Sequence, residues 1–145
     1  MALKSLVMLY KLYQNKNAKS TVVGRWFAKP KRLGTLSTRA LAAHMVEHGM
    51  VASRADVENI LIRLSQCIPE LVAQGYGVKL DGLGIFYPTI ANTKGGAESE
   101  EKFNAAVNIA GVRFRFTPDS SDLDNLTSKA FGKKVTLQLD ADEEE

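Results

Sequence analysis

A single cysteine stands in 145 residues. Cys67 has no partner for an intramolecular disulfide, which favours a reducing, cytoplasmic compartment over a disulfide-stapled secreted fold. Set among apolar neighbours, it reads as a buried, inert thiol rather than a nucleophile. No apolar run approaches the ~18 residues of a membrane-spanning helix. The N-terminal "SLVMLYKLY" is interrupted by Lys11 and followed by no small-residue cleavage pattern, so no signal peptide is expected. A phosphate-cradling glycine loop, a nucleophile elbow and a cysteine-based metal cluster are all missing, so no catalysis, cofactor or small-molecule substrate is implied. Acidic charge is missing locally. Residues 1–40 hold nine basic side chains and no acidic one, residues 41–134 hold ten basic and eleven acidic, and the last eleven residues hold five acids and no base. Behind a net charge of +3 stands a basic head and an acidic tail, a pattern that suggests a polyanionic partner.

The elements that are present make an α+β chain. "LKSLVMLYKLYQN" alternates so that Leu6, Met8, Tyr10 and Leu12 share a face. "KNAKS" breaks it, and "TVVGRWFAKP" resumes as a strand that stops at Pro30, which cannot continue a ladder. Trp26 and Phe27 read as packing residues of this basic extension. "LSTRALAAHMVEHG" follows as a helix capped by Ser37 and stopped by Gly49. A second, longer helix starts at Ser53, and Val57, Ile60, Leu61, Leu64, Ile68, Leu71 and Val72 keep its 3.6-residue period. Pro69 is expected to kink it, and Gly75 and Gly77 to end it.

"VKLDGLGIF" interrupts a strand pattern with two glycines. Asp81-Gly82 predicts a two-residue hairpin turn in which Gly82 supplies the positive φ, and Gly84 lets the departing strand bend while Phe86 enters the core. "NTKGGAESEEKFNAA" is polar and aperiodic, as in a flexible arm. In "VNIAGVRFRFTP", Val112, Phe114 and Phe116 face one way and Arg113 and Arg115 the other, giving one apolar and one cationic sheet face. "DSSDLDNLTSKAFG" predicts a third helix capped by Ser120 or Ser121 and closed by Gly132. "KKVTLQLD" reads as a final strand, and "DADEEE" as a solvated tail.

This order, and above all "VKLDGLGIF" together with "VRFRFTPDSSDLDNL", resembles the HU and integration-host-factor family of bacterial histone-like DNA-binding proteins. The resemblance covers roughly Leu36 to Lys134, and "MLYKLYQN…GRWFAKPKRLGTLS" resembles an HU-related branch with an N-terminal strand segment, common in Bacteroides-type bacteria. It implies a basic extension over residues 1–35, an HU-like domain over 36–134, and a possible strand with an acidic tail over 135–145. It further implies a homodimer whose two N-terminal helices form a shared base under two three-stranded antiparallel sheets. Two β-arms would reach around the minor groove of double-stranded DNA in a cytoplasmic nucleoid. The broad apolar stripe of the second helix agrees, because one thin sheet covers it poorly.

For such a protein, phosphate neutralisation supplies affinity and an apolar wedge supplies bending. The expected DNA contacts are Arg113 and Arg115 on the sheet, Lys94 and Lys102 on the arm, Lys129, Lys133 and Lys134 around the third helix, and Lys79 on the first sheet strand. The arm departs from the family: it has no proline and carries Glu98, Glu100 and Glu101, so kinking by an intercalated proline is not implied. Phe103 is a candidate substitute wedge, with packing on the base of the arm as its expected role. An HU-like scaffold that binds another protein, with DNA binding weak or lost, is the alternative. A third reading is "HMVEH", His44 to His48, which matches a zinc-peptidase motif but needs a third ligand such as Glu58 or Glu70.

Overall fold

The computed structural model describes residues 6–121 and 125–141. In chain order the elements are β1 (Leu6–Gln14), β2 (Trp26–Pro30), α1 (Thr38–Glu47), α2 (Arg54–Ala73), β3 (Val78–Leu80), β4 (Gly84–Asn92), α3 (Ala105–Asn108), β5 (Ile109–Pro118), α4 (Ser128–Gly132) and β6 (Val135–Leu139). They fall into two compact units, residues 1–35 with 127–145, and residues 36–126.

The central unit starts with two capped helices. The Ser37 hydroxyl accepts from the Ala40 amide at 3.1 Å and opens α1, and Gly49, at φ +90°, follows its end. Ser53 and Asp56 cap α2 reciprocally: Ser53 Oγ accepts from the Asp56 amide at 3.2 Å and Asp56 Oδ2 from the Ser53 amide at 3.3 Å. A cap of this kind is worth about 1 kcal/mol. α2 continues past Pro69 to Ala73 before Gly75, at φ +100°. The helices pack on each other, and α2 packs on β3 and β4.

The core is small. Ala42, Val57, Ile68 and Val72 are the buried apolar residues among those described, while Ile60 and Leu71 from the same helical stripe are 62% and 40% exposed. One flank of α2 is therefore covered and another is not. Cys67, expected to be buried, is exposed; at helical spacing it shares the uncovered flank of α2 with Ile60, Leu64 and Leu71.

The sheet of this unit is antiparallel in the order β3-β4-β5. Its first turn holds three residues rather than two: Leu80 pairs with Gly84, and the Leu83 amide donates to the Leu80 carbonyl at 3.0 Å. Gly82 has the expected positive φ, +79°. Gly84 serves close approach rather than a bend. It is buried, and a Cβ there would overlap the Thr117 carbonyl oxygen and stand 2.6 Å from Phe116 Cζ.

The segment expected as a flexible loop or arm is a loop carrying its own hydrogen bonds. β4 stops at Asn92 after an irregularity, and the link to β5 is folded around Asn108. Asn108 Oδ1 accepts from the Asn104 amide at 2.8 Å, its Nδ2 donates to the Gly96 carbonyl at 3.2 Å, and its own carbonyl accepts from the Thr93 amide at 2.8 Å. Asn104 also caps α3 by accepting from the Ala106 amide at 3.0 Å. Short polar side chains thus supply the order that hydrophobic periodicity does not reveal.

The other unit is built from both ends of the sequence. Its sheet has the order β2-β1-β6, with β1 antiparallel to β2 and parallel to β6, so that Leu6 stands beside Val135 and Tyr10 beside both Pro30 and Leu139. Residues 127–134, assigned with the HU-like domain in the sequence reading, lie in this unit with α4 and β6. The third helix is shorter than expected, starting at Ser128 with Thr127 in the cap position; residues 122–124 of the longer prediction lie outside the described residues. Ser120 and Ser121 do not cap it. Asp140, read as part of a solvated tail, is 8% exposed: its carboxylate lies 2.8 Å from Lys31 Nζ, and its amide donates to the Tyr10 carbonyl at 2.9 Å. Residues 142–145 of that tail lie outside the described residues.

Candidate nucleic-acid interface

Strand alternation sorts the side chains of the β3-β4-β5 sheet by face. One face carries Phe86, Phe114 and Phe116, with the Phe86 ring 5.6 Å from Phe114 and 4.9 Å from Phe116. A cavity of about 180 Å³, lined by Pro69, Val72 and Ala73 of α2 and by Pro88, Val112 and Phe114 among others, places this face toward the helix. The opposite face carries Lys79, Tyr87, Thr89, Arg113, Arg115 and Thr117.

Ladder pairing sets the two arginines against polar or aromatic neighbours: Arg113 is opposite Thr89 and Arg115 opposite Tyr87. Tyr87 Oη and Thr117 Oγ1 are 3.0 Å apart and tie the ends of this face together. Both arginines are exposed, and among the described residues neither has a carboxylate within ion-pair distance. Two guanidinium groups on a rigid strand, backed by a phenylalanine cluster, form a surface able to take anionic oxygen atoms by charge-assisted hydrogen bonds.

Lys79 shares the face but is engaged within the chain. Its ammonium lies 3.7 Å from Asp81 and 3.6 Å from Asp119. Asp119, just beyond β5, is the organiser of this end of the sheet. Its Oδ1 accepts from Ser121 Oγ at 2.7 Å and the Ser121 amide at 3.0 Å, and its Oδ2 from the Gly82 amide at 3.3 Å. The Ser121 hydroxyl foremost, then the Ser121 amide, and to a lesser degree the Gly82 amide and the Lys79 charge, bring the Asp119 carboxyl from 3.8 down to about 2, against an opposing effect of burial larger than either of the last two. The sequence offers Ser120 or Ser121 as a helix cap; the Asp-x-Ser spacing that marks such a turn is the signal for the role Ser121 has instead.

The remaining expected contacts are dispersed. Lys94 is exposed on the loop after β4. Lys102 forms an ion pair with Glu98 four residues earlier. Lys129, Lys133 and Lys134 lie in the other unit. Gathered on one sheet face are Arg113, Arg115 and Lys79. For the zinc-peptidase reading the third ligand fails: among the described residues no three His, Cys, Asp or Glu side chains converge. No described helix is long and apolar enough to cross a membrane.

A helix pair supporting a three-stranded antiparallel sheet, with a Gly-x-Gly turn and a cationic outer face, defines an HU-like class of protein. Residues 6–133 match the HU-HIG family, described as an HU domain fused to wHTH, Ig or a glycine-rich motif, and the chain belongs to that family. Among solved structures, a candidate bacterial DNA-binding protein from Bacteroides vulgatus ATCC 8482 is similar over 92% of this chain at 14% identity, with a TM-score of 0.57. The chain spans about half of that structure, 48% of its length. An Anabaena HU–DNA cocrystal structure aligns with 68% of this chain and 96% of its own, at 16% identity and a TM-score of 0.42. No curated protein matches.

Proposed function

We propose that this chain is an architectural, largely sequence-nonspecific DNA-binding protein that acts as a homodimer on the phosphate backbone and minor groove. The observation that carries the reading is the alternation on β5, which sends Arg113 and Arg115 to an open face and Phe114 and Phe116 toward the helix side. Guanidinium groups held by a strand neutralise phosphates without reading bases, so affinity arises with little sequence preference. Lys94 and Lys79 flank this surface. Lys102 on the loop after β4 is a further phosphate contact of this unit, and Lys129, Lys133 and Lys134 are phosphate contacts of the other unit by itself.

One further observation supports the homodimer. Ile60, Leu71, Phe114 and Phe116 remain exposed in a unit with four buried apolar residues, and symmetric pairing of two copies covers such surface. Nothing in the loop after β4 supplies a proline wedge; Phe103, 46% exposed there, is the apolar group available for insertion between base pairs.

The test combines sedimentation with binding to short duplexes of unrelated sequence. The expected result is a particle of twice the chain mass that binds all duplexes alike. A monomer that ignores duplex DNA at low salt would leave the protein-binding scaffold as the better description.

A further inference from the structure

His44 lies in the last turn of α1 and His48 at its C-cap, so the spacing of four places both imidazoles on one side of the helix end. Their Nε2 atoms are 3.1 Å apart, and the rings meet edge to face with centroids 4.7 Å apart. Two nitrogens bound to one ion at about 2.0–2.1 Å stand about 2.9 Å apart at a right angle and about 3.3 Å apart at the tetrahedral angle. The observed separation, at which the two rings share a hydrogen bond, falls inside that range, so one ion replacing the shared proton would be within reach of both nitrogens.

We infer that His44 and His48 form a surface site for one divalent ion of the zinc or nickel type. Each Nε2 donates its lone pair, and water fills the remaining positions, because both side chains are exposed. Imidazole ligands select such ions over magnesium and calcium, which prefer oxygen donors. The negative end of the α1 dipole adds attraction for a cation at this place. With two protein ligands and no third converging, the site has the character of a clamp on the helix end, not a catalytic centre.

The experiment is calorimetric titration of the full chain with zinc chloride and nickel chloride, with magnesium chloride in parallel. The expected result is one zinc or nickel ion per chain and no magnesium binding. His44→Ala and His48→Ala are each expected to weaken binding by about tenfold or more, because a chelate becomes a single contact. Circular dichroism of the variants shows whether the helices persist. Failure of the wild-type chain to take up zinc or nickel overturns the proposal. So does equal affinity in the folded single variants.

Discussion

Each of the two sheets is followed at once by an aspartate that reaches back to lysine, and the two aspartates are held differently. Asp119, after β5, is fixed mainly by hydrogen bonds from Ser121 and Gly82, with Lys79 at 3.6 Å. Asp140, after β6, is fixed by charge: its side chain is 3% exposed, with Lys31 at 2.8 Å and Lys11 at 3.9 Å. The first clamp joins a hairpin turn to the strand end beside it. The second joins the two ends of the sequence, because β6 runs parallel to β1.

The contrast teaches that counting charge along a chain does not locate available charge. The basic head of residues 1–40 suggested the polyanion surface, yet two of its lysines converge on Asp140 inside their own unit. The unopposed pair, Arg113 and Arg115, comes from the segment whose charges nearly balance.

Three substitutions sharpen the comparison. The largest effect belongs to Gly84→Val. Its new methyl groups would meet the Thr117 carbonyl and the Phe116 ring, and a loss of about 3 kcal/mol in urea unfolding is expected. An unchanged midpoint would show that β4 and β5 can separate there without cost. Asp140→Asn comes next, at about 2 kcal/mol, because two partly buried ammonium groups lose their counter-charge. If hydrogen exchange then rises in β1 and β6 and not in β4 and β5, the two clamps act separately.

The smallest effect is the acid response of the first clamp. The Asp119 carboxyl is lowered from 3.8 to about 2 on folding, so its contribution is present above pH 3.8 and is lost as pH falls through about 2. The stability difference between the wild-type chain and Asp119→Asn is therefore expected to be constant near neutrality and to shrink across that acidic window. A difference that grows on acidification would reverse the assignment.

Much of the central unit was legible because its signals are local. Ser37, Ser53 and Gly49 mark helix ends by their own chemistry, and the alternation around Arg113 and Arg115 names both faces of β5. Gly82 declared its positive φ, while the role of Gly84 depended on Thr117 and Phe116, more than thirty residues away. The Asn104–Asn108 knot was invisible to periodicity because polar hydrogen bonds hold it. The parallel pairing of β1 with β6 was hidden for a simpler reason: nothing in either strand states its partner when well over a hundred residues intervene. For the same reason, nothing in the sequence placed Lys129, Lys133 and Lys134 in one unit with β1 and β6.

The most direct measurement is the salt dependence of duplex binding by the wild-type chain and by the Arg113→Ala, Arg115→Ala double variant. If the open face of β5 holds phosphates, wild-type affinity falls steeply as salt rises, and the variant's log–log slope is shallower by about two, with unfolding unchanged. Identical slopes and affinities in the two proteins would contradict the assignment of that face to DNA.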